Sequence, residues 1–203
     1  MTAKQMKFDS IAHDDFRRGV NRMAKAVGLT LGPAGRNVVI QKSWGGPTVT
    51  KDGVSVAKEI EFPEAFQNMA AKMVHQVAKK TADVAGDGTT SATILADSIF
   101  CNGLRHITAG ANPVIVQRGI TAASKVATEA VRSMAIECTN KSDLHKVALV
   151  SSNHDEEIAN AISEAIDKVG GDGVVEVEEG KTAEITLEYV EGCLLYTSDA
   201  ADE

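Results

Sequence analysis

Residues 64–109 read EAFQNMAAKMVHQVAKKTADVAGDGTTSATILADSIFCNGLRHITA. Two helical patterns with one short break between them make this a helical bundle. From Glu64 to Ala85, the residues Phe66, Met69, Met73, Val77 and Ala78 recur at helical spacing and predict one apolar face. Gly86 ends that helix, because glycine accepts the left-handed conformation that closes helices. A second helix is predicted over Thr89–Ala109. Its apolar residues Ile94, Leu95, Ile99, Phe100, Leu104 and Ile107 go most of the way round, which predicts a helix buried inside the bundle.

Outward from this pair the same reading continues. Toward the N-terminus, Phe16, Val20, Met23 and Val27 predict a helix over Ile11–Leu29, stopped before Gly32-Pro33 because proline cannot extend it. Val38-Val39-Ile40 and Thr48-Val49-Thr50 predict a short hairpin, with Trp44 at the loop tip. Toward the C-terminus, Asn112-Pro113 offers a cap followed by proline at the first helical position, and Val116 through Met134 carry the helix on. Beyond it, shorter helices are predicted near Ser142–Val150 and Asp155–Val169. Strands are predicted at Val174–Val177 and Ile185–Tyr189, the second from its alternation with charged residues. The chain thus divides into a mainly α unit with one hairpin, residues 1–135, and a small α/β unit over 136–190.

Composition narrows the function. A formal net charge of −7 with no clustered basic patch argues against nucleic acid as a partner. The three cysteines, Cys101, Cys138 and Cys193, form no CxxC pair, so neither a zinc site nor a redox motif is indicated. The five histidines show no ligand spacing. The N-terminus lacks a signal-like apolar stretch, and no run approaches the roughly 18 apolar residues of a membrane span. A cytoplasmic protein with no membrane association is the expectation.

Three motifs carry chemistry. In Gly86-Asp87-Gly88-Thr89-Thr90-Ser91, glycines let backbone approach a ligand, and the following helix offers an N-terminus that suits phosphate. The three hydroxyls add donors, and Asp87 suits a Mg²⁺ that bridges phosphates. No GxxxxGK[ST] is present, so this is not a P-loop. In Thr30-Leu31-Gly32-Pro33-Ala34-Gly35-Arg36, two glycines and a proline shape a loop whose amides suit an anion. In Thr50-Lys51-Asp52-Gly53, Lys51 suits a phosphate and Asp52 suits a water that it orients or deprotonates. Each motif taken alone is more readily read as a turn or a helix cap. A small kinase or phosphatase and a non-enzymatic interaction module are the competing readings; no second nucleophile–base set favours the former.

Numbered along the chain as first (Thr30–Arg36), second (Thr50–Gly53) and third (Gly86–Ser91), the three motifs together resemble those of group I chaperonins, the GroEL family. The stretches Thr30–Val39, Thr50–Ala57 and Ala85–Thr93 carry the resemblance, continued by Ala109-Gly110-Ala111-Asn112-Pro113, Arg118-Gly119-Ile120, Gly173-Val174-Val175 and Val190-Glu191-Gly192. It covers residues 4 to 192. It implies an ATP-driven chaperone subunit, with 1–135 the N-terminal half of an equatorial ATP-binding domain and 136–190 the first half of an intermediate hinge domain. It further implies nucleotide contacts at Thr30, Leu31, Gly32, Pro33, Lys51, Asp87, Gly88, Thr89, Thr90 and Ser91. The implied cofactors are ATP, Mg²⁺ on Asp87 and K⁺ beside Thr30, Lys51 and Thr90, with Asp52 as a hydrolytic acid. The implied partners are further copies in a double heptameric ring, a co-chaperonin lid of the GroES type and unfolded client proteins. From Cys193 to Glu203 the family pattern is not followed. The chain by itself is therefore expected to be an inactive N-terminal fragment of such a subunit, with an unrelated tail where an apical domain would start.

Overall fold

The computed structural model describes residues 5–32, 34–42, 45–138, 140–170, 173–178 and 185–190. Pro33, Trp44 and the 193–203 tail lie outside the described residues. Seven helices and one hairpin are present among those described: α1 (Asp9–Gly28), β1 (Val38–Ile40), β2 (Thr48–Thr50), α2 (Gly53–Glu59), α3 (Ala65–Ala85), α4 (Thr89–Thr108), α5 (Pro113–Met134), α6 (Lys141–Ser151) and α7 (Glu156–Val169). The strands pair antiparallel with Val39 opposite Val49. The chain forms two compact units, Met1–Ala130 and Val131–Glu203.

The first unit is built on α1, α3 and α4, each packed against the other two. Gly19, Val20, Met23, Ala24 and Val27 form the buried stripe of α1, at spacings of three and four. Opposite them α3 buries Gln67, Ala70, Ala71, Val74 and Ala78. The two helices meet backbone to backbone: a β-carbon on Gly19 would lie 2.8 Å from Gln67 Cα and 2.9 Å from Ala70 Cβ. The entry of α3 is held by Arg22, whose guanidinium donates to Gln67 Oε1 at 2.8 Å, pairs with Glu64 at 3.2 Å and lies over the Phe62 ring. Val56 and Ala57 of α2 complete the core, with Phe16, Val38, Ile40, Ile60, Phe62 and Phe100 half-buried around it.

Three expectations are corrected. The face of α3 that turns inward is the alanine stripe and not the bulky one: Met69 and Met73 are 47% and 56% exposed. At the closest approach Gly19 faces the Gln67 backbone and Ala70 Cβ, so a bulky side chain at 70 would collide and the larger stripe is turned away. On α4, Leu95 and Ile99 are 60% and 49% exposed, and only Thr89, Thr93 and Leu104 are buried; this helix is not enclosed on all sides. Among the described residues, 173–178 and 185–190 form no strand, since a strand exists only with a paired neighbour and none of them is paired. The helices that lie wholly within the second unit are the α6–α7 pair, capped by Asn140 and Asp155 and closed by Ala148, Ala159 and Ala165.

Sequence periodicity also missed α2, which has only seven residues. Asp52 is its N-cap: Oδ1 accepts from the Val54 amide at 3.3 Å, and Oδ2 accepts from the Ser55 amide at 2.8 Å and the Ser55 hydroxyl at 2.7 Å. Partial burial pushes the Asp52 carboxyl up, but the hydrogen bonds from Ser55 and Val54 and the charge of Lys58 together outweigh it. Its pKa ends below the ordinary 3.8. A depressed carboxylate stabilises the fold above its ordinary pKa, and that contribution fades as pH falls through the lower folded value.

Two outcomes are expected. Asp52→Ala costs ~1 kcal/mol of stability at neutral pH, as cap removal does, whereas Asp52→Asn, which still caps, costs only a few tenths. Denaturant melts should show the alanine deficit shrinking below about pH 3.8; a deficit that grows in acid contradicts the assignment. Separately, the exposed Met69, Met73, Leu95 and Ile99 should make the 203-residue chain self-associate as its concentration rises. Light scattering that shows a monomer at all concentrations contradicts this.

Candidate functional site

The three motifs, far apart in sequence, come together where α1 ends and where α2 and α4 begin. After α1 the chain turns sharply: Thr30 N–H donates to Val27 O and Leu31 N–H to Gly28 O. Gly32 takes a left-handed φ of 73°, Gly35 N–H returns to Gly32 O at 2.9 Å, and Arg36 N–H returns to Leu29 O at 2.8 Å. The loop is therefore closed on itself, with Leu31 and Gly32 on its exposed side. Thr30 is buried instead. Its hydroxyl donates to Val27 O at 2.7 Å and lies 3.5 Å from the Thr90 hydroxyl. The first and third motifs thus meet through two threonine oxygens.

The third motif is set by glycine chemistry. Gly86 and Gly88 hold φ of 71° and 81°, conformations that other residues rarely adopt, so the chain reverses between α3 and α4 within a few residues. α4 starts at Gly88 with no side chain capping it. Thr89 is buried and anchors the turn, with Thr93 Oγ1 donating to Thr89 O at 2.9 Å. Asp87 and Ser91 are exposed, and Asp87 Oδ1 accepts from Gly88 N–H at 2.6 Å. The result is a helix N-terminus whose first amides are open, with a carboxylate beside it and hydroxyls at its base.

The second motif reaches the same place through Gly53, the first residue of α2, which lies against Thr90 and Val27. Lys51 and Asp52 precede it on the exposed side. The partners of the Asp52 carboxylate lie within the first turn of α2, and Asp52 N–H donates to Thr50 Oγ1 at 3.0 Å. Two participants escaped the sequence reading: Ser55, which doubly anchors Asp52, and Gly53, which admits Thr90. The first had only a partial signal, since aspartate ahead of apolar residues is a favoured N-cap and points to the residues that follow it. The second had none, because a contact between residues 53 and 90 belongs to the tertiary structure. Among the described residues no cluster of three metal-ligating side chains occurs, and no helix is long and apolar enough to cross a membrane.

Residues 23–200 match the TCP-1/cpn60 chaperonin family, a span that reaches into the stretch expected to depart from it. The chain is 50% identical over 192 residues to a chaperonin GroEL of Methanospirillum hungatei JF-1, a match over 95% of this chain and 36% of that protein. The chain thus spans little more than a third of that relative's length. Among solved structures, a group III chaperonin in the open state superposes with a TM-score of 0.65 at 27% identity, over 78% of this chain and 32% of the other. The chaperonin gp146 from bacteriophage EL 2 (Pseudomonas aeruginosa), in the presence of ATP-BeFx, gives 0.66 at 29% identity, over 80% and 28%. With a family match across most of its length, half its residues shared with a GroEL and the same helical fold, this chain belongs to the TCP-1/cpn60 chaperonin family.

Proposed function

We propose that this chain supplies the phosphate side of the ATP site in a group I chaperonin subunit, and that the complete subunit couples ATP hydrolysis to the refolding of other proteins. The observation that carries this is the uncapped start of α4, a 20-residue helix whose first amides and positive dipole end favour a phosphate. Residues 30–32 and the 87–91 turn lie beside that place, which supports the nucleotide contacts that the resemblance implies: Thr30, Leu31, Gly32, Pro33, Lys51, Asp87, Gly88, Thr89, Thr90 and Ser91. The crystallisation of the gp146 relative in the presence of ATP-BeFx supports a nucleotide as the ligand.

The residues present fit the two cations. Asp87, an exposed carboxylate beside the start of α4, would hold a Mg²⁺ next to the phosphates, the kind of single-carboxylate site this ion uses. Oxygens of Thr30, Lys51 and Thr90 are the proposed K⁺ ligands, and the 3.5 Å separation of the two threonine hydroxyls brings two of these residues together. Bound, the cations neutralise the charge of the phosphate chain. Asp52 is ionised at neutral pH and held by its cap bonds, which suits a carboxylate that orients the attacking water. Such a group acts mainly in the transition state.

The same reading extends to the whole protein. Residues 1–135 are proposed as the N-terminal half of an equatorial domain and 136–190 as the first half of an intermediate hinge domain. The proposed assembly is a double heptameric ring with a GroES-type lid and unfolded clients, in the cytoplasm, without nucleic acid or membrane. In the full-length subunit, Asp87→Ala should remove Mg²⁺-dependent ATP binding and turnover together. Asp52→Asn should leave affinity within about twofold and slow hydrolysis by roughly 10²-fold or more, the usual weight of such a group. Calorimetry and a phosphate-release assay read the two effects separately. Lost affinity with retained rate in Asp52→Asn would reverse the assignment.

A further inference from the structure

The contact that brings the second motif to the third has a single narrow point. A β-carbon built on Gly53 would stand closer than 3.0 Å to Thr90 Oγ1, 3.3 Å from Thr90 Cβ and 3.2 Å from Val27 Cγ1. Gly53 is buried at the start of α2, and Thr90 is half-buried in the first turn of α4. The same Thr90 hydroxyl lies 3.5 Å from that of Thr30, whose own hydroxyl is donated to Val27 O. Thr90 is therefore enclosed on two sides: by the end of α1 through Thr30 and by the start of α2 through Gly53. An atom added at residue 53 meets Thr90 Oγ1 first, so either that side chain rotates away from Thr30 or the tight contacts with Thr90 Cβ and Val27 Cγ1 shift the start of α4 or lift α2 with Asp52.

We infer that Gly53 is a positioning residue for the nucleotide site: its missing side chain is the space in which Thr90 sits, and it sets the distance between Asp52 and the α4 N-terminus. The backbone gives no other reason for glycine here. Gly53 has no left-handed φ, and alanine is intrinsically the better helix former. Helix propensity and the steric argument therefore predict opposite signs for Gly53→Ala. Propensity predicts a more stable protein, whereas the contact with Thr90 predicts a less stable one whose site is displaced. The inference rests on the ATP-site reading for its functional half only.

The test is a set of thermal melts and Mg-ATP calorimetry on the full-length subunit with Gly53→Ala, Thr90→Ala, Thr90→Val and the two double variants. Gly53→Ala should lower the Tm and weaken Mg-ATP binding by about tenfold, equivalent to ~1.4 kcal/mol. Adding Thr90→Ala removes the crowded oxygen and should recover part of the lost Tm. Adding Thr90→Val, which also lacks the hydroxyl but keeps the branch, should recover none. Recovery by alanine alone identifies volume, not hydroxyl chemistry, as the coupling. A Gly53→Ala protein at least as stable as the parent, or equal recovery by valine and alanine, overturns the inference. If Gly53→Ala does not fold, soluble Gly53→Ala/Thr90→Ala beside insoluble Gly53→Ala/Thr90→Val supports it, and failure of both overturns it. If the parent subunit binds no ATP, the ATP-site reading fails, and the pattern of melting temperatures still decides whether Gly53 seats Thr90.

Discussion

The close crossing of α1 and α3 is the constraint on which the first unit depends. At Gly19 the two backbones come near enough that one extra carbon would collide with Gln67 and Ala70. Overpacking of this kind typically costs ~1–3 kcal/mol. The crossing selects which residues of α3 turn inward. It takes Ala70, Ala71, Val74 and Ala78, and it sends Met69 and Met73 to the surface. It also leaves room for a short helix, α2, to pack on α1, α3 and α4 at once. The polar side of the seam is satisfied: buried Gln67 accepts from Arg22, whose charge is shared by Glu64 and whose plane covers Phe62.

That packing places the chemistry. α1 ends where α4 begins because the two helices lie side by side, and α2 begins there because Val27 and Thr90 hold Gly53 between them. A glycine-rich reversal at 86–88 then starts α4 without a side-chain cap. A helix end of this kind is usually capped, so its open amides are a local deficit in hydrogen bonding that a phosphate would offset. At the start of α2 the opposite choice is made. Asp52 caps its helix with both oxygens, and the same bonds that hold the helix keep this carboxylate ionised and fixed in direction. One side chain thus serves the fold and, in the proposed mechanism, the reaction; asparagine at that position separates the two roles.

The apolar residues that the core does not use lie in stripes. On α3 they are Met69, Met73 and Val77; on α4 they are Leu95 and Ile99; on α5, which buries no residue, they include Val114, Ile115 and Val126. A scattered exposed leucine has no particular meaning, but stripes that continue along helices do. The periodicity of α4 predicted burial on every side, and the exposed Leu95 and Ile99 show that among the described residues it is covered on one side only.

The sequence alone determined where the chain can be helical and where it must turn. Glycine at 86 and 88, Asn112-Pro113 and the Asp155 cap are local devices whose physics acts within a few residues, and six of the seven helices and both β-strands of the hairpin follow from such signals within a residue or two. The short α2 was hidden because seven residues are too few for a period to show, although Asp52 marked its start. The resemblance to chaperonins was legible because its motifs keep their order and spacing. Only the tertiary structure decided which stripe of α3 is the inner one, since two apolar stripes satisfy the same hydrophobic pattern and only the approach at Gly19 distinguishes them. It alone brought Thr30, Gly53 and Thr90 within contact, because that meeting depends on how three helices pack and not on any property of the residues in between.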